Sequence, residues 1–182
     1  MMLRLVILTM AFMAWVVPVQ AGNFDDTVAT WTSPDDVGAW LQDNFEFDTK
    51  RQKLIQKRLK QSGPSGLLVR APASTFESGK GYCADAAYLA LVALNKIHPA
   101  YNARWIFVKN AKGKPNHWAT GFTMDEKLYV MDYGAGPHWK QMIGLHGPYE
   151  TLEGYADFLA SLNIKGFSVG EVKWRQMPGT YD

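Results

Sequence analysis

The chain has 182 residues, a formal net charge of +2 at pH 7, 47% apolar residues and a single cysteine. So high an apolar share excludes a disordered chain, and nine Pro and sixteen Gly without a repeat period exclude a collagen-like or low-complexity one. The near-neutral balance offers no basic stripe for nucleic acid, and one cysteine cannot build a disulfide scaffold.

Residues 1–21 read as a secretory signal peptide: Arg4 supplies a positive start, residues 5–17 are apolar, and Val19, Gln20 and Ala21 end on a small residue suited to cleavage. The apolar run is shorter than the roughly 20 residues of a membrane helix. The expectation is therefore an exported protein, periplasmic or secreted, with no membrane span after cleavage. Residues 22–182 then form a single domain around one core. No cysteine follows the run, so a lipid anchor on an N-terminal cysteine is excluded. Exported proteins that use cysteine for stability use it in pairs. Unpaired Cys83 is thus a small buried residue, half of an intermolecular bridge, or a reactive thiol.

Ser33, Pro34, Asp35 and Asp36 make a helix start, with a capping hydroxyl, proline in the first turn and acids against the dipole. Val37, Trp40, Leu41 and Phe45 form the apolar stripe. Asp48 caps a second helix, predicted to about Gln61 and stopped at Gly63. Its Leu54, Ile55 and Leu59 are expected inward, and Lys50, Arg51, Lys53, Lys57, Arg58 and Lys60 read as a solvated face. Residues 62–82, rich in Gly, Pro and Ser, read as a loop. Residues 84–94 carry only one charge, Asp85, and are apolar on nearly every side, which predicts a helix buried in the middle of the domain. Cys83 stands at its N-terminal end, and His98 and Pro99 close it. Strands are predicted over 103–109, 117–123 and 127–133. A long loop over 134–149, a surface helix over 151–162 and a last strand over 166–174 follow. Helices first and strands later imply an α+β fold, a central buried helix packed on an antiparallel sheet.

A thiol at a helix N-terminus meets the positive end of the dipole and unpaired N–H groups, which favour thiolate and can stabilise an oxyanion. Asp85 pulls the other way, so an active Cys83 wants a cationic partner. On position alone, core packing beside Ala84, Ala86 and Ala87 is an equal reading. Among the four histidines, His98 lies at the far end of the helix, and His138 and His146 lie in the long loop; only His117 starts a strand that fixes its ring. A turn centred on Asp125 and Glu126 pairs residue 123 with 128 and places Ala119 opposite Asp132. His117 and Asp132 are then diagonal neighbours on one face, roughly 7–8 Å apart at the backbone; a one-residue slip would separate them. Cys83, His117 and Asp132 thus make a nucleophile, base and orienter arrangement. A metal site fails on ligand spacing, and no cofactor is implied.

These motifs resemble the transglutaminase-like cysteine-enzyme superfamily. GYCADAAYLALVAL carries a glycine shortly before the cysteine and an acid two after it; NHWATGF and LYVMDYG carry the histidine and aspartate, and VGAWLQDNFEFD resembles the family's first helix. The resemblance covers about residues 34–136. It implies a papain- or transglutaminase-like core, a Cys83–His117–Asp132 triad, and hydrolysis or transfer of peptide and side-chain amides in a protein or peptide substrate. It also implies an upstream aromatic or amide side chain as second oxyanion donor, a position the sequence does not identify. Tyr82, Trp118 and Trp139 are the residues expected to line the substrate cleft. The competing readings are a noncatalytic cell-envelope binding module with a vestigial triad, and a cell-wall peptide endopeptidase with a different third residue.

Overall fold

The computed structural model describes residues 23–182; the expected signal peptide lies outside them. The chain opens with α1 (Phe24–Val28), α2 (Pro34–Asn44), strand β1 (Glu46–Phe47) and α3 (Thr49–Ser62). Then follow β2 (Leu68–Val69), α4 (Pro72–Ser78), β3 (Lys80–Gly81) and the long α5 (Cys83–Ile97). The second half holds β4 (Arg104–Asn110), β5 (His117–Met124), β6 (Lys127–Asp132), β7 (Gly144–Tyr149), α6 (Leu152–Ser161), β8 (Val169–Trp174) and β9 (Thr180–Tyr181).

The caps account for several of these boundaries. Asp36 Oδ2 accepts the backbone N–H groups of Thr32 and Ser33 at the start of α2. The Asp48 carboxylate accepts that of Arg51 at the start of α3. Gly63, at φ 60°, ends α3. Helix α5 is apolar on two sides: Ala86, Leu89, Ala90, Ala93 and Leu94 pack into one cluster with α2 and Phe76, while Ala84 and Ala87 pack into another with Trp105, Phe107 and Trp118. Thr120 donates its hydroxyl to the carbonyl of Ala87 at 2.6 Å and pins the helix to the sheet.

The sheet has five strands in the order β7-β6-β5-β4-β8, every neighbouring pair antiparallel. Its other face is covered by α6, whose Tyr155 and Leu159 pack with Ile106, Val108, Ala119 and Val130. The fold is α+β, with a buried helix against an antiparallel sheet, as the sequence predicts. Among the described residues no helix is long and apolar enough to cross a membrane.

Some expectations need correction. The 62–82 segment holds a short 3-10 turn, β2, α4 and β3 rather than a plain loop; α4 spans seven residues, too few to show a period. The 134–149 segment ends in β7, an edge strand whose Gly and Pro conceal it; an edge with an irregular register tolerates both. In α3 the inward stripe runs through Arg51, Ile55 and Leu59, so Arg51 is buried and Leu54 is half exposed.

Candidate active site

The hairpin register sets the site. Thr123 pairs with Leu128 and Thr120 with Met131, with Asp125 and Glu126 at the turn in the left-handed region. That register carries His117 and Asp132 onto one face as diagonal neighbours. Their side chains meet: His117 Nε2–H donates to Asp132 Oδ2 at 2.7 Å, and both residues are essentially fully buried. The Tyr155 hydroxyl, from α6, also donates to Asp132 Oδ2 at 3.3 Å. Trp139 covers the imidazole edge-on, with ring centroids 5.9 Å apart.

Cys83, half-buried at the first turn of α5, adjoins the same imidazole closely enough to act on its charge. With Nε2 taken by Asp132, the nitrogen facing the thiol is Nδ1. Burial pulls the His117 pKa down, but the charge and hydrogen bond of Asp132, helped by Cys83, more than offset it and hold the pKa at about 10. The approach of β6 to α5 depends on Gly134: a Cβ there would lie 2.5 Å from the Cys83 Cα and 2.8 Å from its carbonyl oxygen. Only glycine lets the loop after Asp132 lie against the backbone of Cys83.

The acid beside the cysteine is paired with Arg51, which is buried rather than part of the solvated basic face. Arg51 donates Nε to Asp85 Oδ2 at 2.6 Å and Nη2 to Oδ1 at 3.1 Å. The N–H groups of Arg70 and Tyr82 complete the shell of Asp85. Burial pushes the Asp85 carboxyl up, while the guanidinium and these donors oppose it; Arg51 itself is held charged by the carboxylate beside it. The negative charge that works against a thiolate is thereby paired. The signal was present in the sequence as the 51, 55, 59 spacing, which puts Arg51 in phase with the inward stripe.

Cys83 opens into a groove of about 480 Å³ between α3, the β4–β5 turn and the segment after β8. Tyr82 and Trp118 line it, and the Tyr82 hydroxyl is fixed by donation to the Leu68 carbonyl at 3.1 Å. Trp139 does not line it: this residue sits behind the His117 ring, packed on Phe167, and its place in the cleft is corrected to that of a cover over the imidazole. Gln52 and Gln56 of α3 also line the groove; nothing local in the sequence marks them. His138 is exposed, and His98 lies at the far end of α5. His146 lies on β7, its Nε2 at 2.7 Å from the Met142 carbonyl oxygen. No group of three His, Cys, Asp or Glu among the described residues could hold a metal.

A family model described as a transglutaminase-like domain matches residues 25–141, which take in Cys83, His117 and Asp132. The chain belongs to the transglutaminase-like family. A search of curated proteins found no match. The matched span of this transglutaminase-like domain stops before β7 and α6, so Tyr155, which holds Asp132 from behind, lies outside it.

Proposed function

We propose that the protein is an exported thiol enzyme that hydrolyses or transfers amide bonds, with Cys83 as nucleophile, His117 as acid and base, and Asp132 as the group that orients and charges the ring. The observation that carries the reading is the juxtaposition of Cys83 with a buried His117–Asp132 pair at the wall of a groove. Cys83 Sγ attacks the substrate carbonyl. The oxyanion is received by the Cys83 backbone N–H and by an amide on α3. Gln52 and Gln56 both line the groove with Cys83, and Gln52→Ala tests the first of them. His117 Nδ1–H gives its proton to the leaving amine as the C–N bond breaks, which leaves a thioester on Cys83. Water, deprotonated by His117, then releases an acid, or an amine in its place forms a new amide. Residues 1–21 support export to the periplasm or medium.

Iodoacetamide labelling tests the reading. Cys83 is expected to label in the native protein at neutral pH, faster than glutathione does under the same conditions. His117→Ala slows that labelling, because the imidazolium beside the thiol is gone, and His138→Ala does not. Gln52→Ala leaves labelling in place and lowers turnover. Labelling only in denaturant, or loss of labelling in His138→Ala alone, overturns the assignment and leaves a binding module or another base.

A further inference from the structure

Three cations from remote parts of the chain converge on the groove beside Cys83. Lys60 comes from the end of α3, Lys114 from the turn just before His117, and Arg175 from the residue after β8. None of the residues lining the groove is acidic. None of the three makes a salt bridge with a described residue, although Lys173, two positions before Arg175, is paired with Glu171 at 2.9 Å. Arg175 is fixed without a close ion pair, although its charge, like those of Lys173 and Lys109, is felt by Glu171. Its backbone N–H donates to the Trp105 carbonyl at 3.2 Å, and its guanidinium lies 4.7 Å from the Phe107 ring centre. Like charges gathered around one concavity repel each other, and an anion bound there relieves that repulsion. The groove between them is apolar, lined by Ile55, Leu59, Phe107 and Trp118 among others. An occupant therefore needs apolar contact area together with negative charge.

Building on the acyl-transfer reading of Cys83, we propose that the groove selects a peptide segment carrying an acidic side chain near the bond to be attacked. The backbone and apolar side chains of such a segment lie along the floor, and its carboxylate meets the rim formed by Lys60, Lys114 and Arg175. Arg175 offers the planar fork that suits a carboxylate. The lysines are exposed and act as point charges that raise the local concentration of an anionic substrate.

Two peptide affinity labels that differ only in charge test this: bromoacetyl-Gly-Glu-Gly-amide and bromoacetyl-Gly-Gln-Gly-amide, each timed against Cys83 of the full chain and against glutathione. The glutamate label is expected to react with Cys83 about threefold to fivefold faster than the glutamine label at low ionic strength, a size typical of exposed charge pairs. The advantage should vanish at about 0.5 M salt and should be absent with glutathione. In the combined variant Lys60→Gln, Lys114→Gln, Arg175→Gln the two labels should react alike. The salt series needs no variant, so it decides the matter even where the triple variant folds poorly. Equal rates on the native protein, or a faster glutamine label, overturn the acidic-peptide proposal and leave the thiol-enzyme reading standing. If neither label reacts with Cys83 faster than with glutathione, the thiol-enzyme reading falls and the substrate proposal with it.

Discussion

The two oxygens of Asp132 are used unequally. Oδ2 receives both the His117 Nε2–H and the Tyr155 hydroxyl, whereas Oδ1 is buried with no hydrogen-bond partner. A carboxylate so poorly solvated is costly unless a cation stands against it, and His117 is that cation. The dependence runs both ways, because burial alone would lower the His117 pKa and the Asp132 charge is the largest factor that raises it. Asp132→Asn keeps the shape and removes the charge. The His117 titration followed by NMR should then drop well below about 10, since burial lowers it and only the weaker influence of Cys83 still opposes. Turnover should fall by at least about 100-fold for want of a charged, oriented ring. A His117 pKa that stays near 10 in the variant would assign the shift to Cys83 instead.

Among the elements, α3 and α5 are joined beside the thiol by a buried ion pair. Arg51 and Asp85 form a two-pronged ion pair, the carboxylate fully buried and the guanidinium nearly so. Removing one member of a buried pair leaves the other uncompensated, at about 3–5 kcal/mol. Arg51→Met should therefore destabilise the protein far more than Lys57→Met on the exposed face of the same helix. The double variant Arg51→Met, Asp85→Asn should recover part of the loss in a denaturant-melt cycle. Additive losses would mean that the two residues act separately. This joint also marks where sequence reading stops. The β5–β6 register was legible because turn chemistry and strand alternation both fix it, and so the alignment of His117 with Asp132 was legible too. Helix α5 was legible because it is apolar on nearly all sides. Arg51 was hidden inside a run of basic residues whose composition points to solvent, and only its phase relative to Ile55 and Leu59 shows otherwise. Tyr155 reads as an ordinary inward residue of an amphipathic helix; its contact with Asp132 arises from the packing of α6 across the sheet. The groove cations lie far apart in the sequence, so no local pattern could have gathered them.

For the molecule as a whole, the buried titratable groups set how stability depends on pH. His117 ordinarily titrates at 6.5 and holds its proton to about 10 in the fold. Below pH 6.5 the folded and unfolded chains both carry that proton, and the stabilisation from the Asp132 pair is fully present. Between 6.5 and 10 the unfolded chain has released the proton and the folded chain has kept it. The unfolded state thus binds fewer protons, and stability falls as pH rises through this window. A second loss begins near pH 10: burial raises the Tyr82 and Tyr155 hydroxyls above their ordinary 10.0, so their unfolded forms ionise first and draw the equilibrium toward unfolding. Thermal melts of the wild type from pH 6 to 11 should therefore decline in two stages. His117→Gln should be less stable at pH 6, should lose the decline between 6.5 and 10, and should keep the later one. A His117→Gln protein whose melting temperature still falls across the lower window would place the titrating group elsewhere, and the buried His117–Asp132 pair would then not be an ionised one.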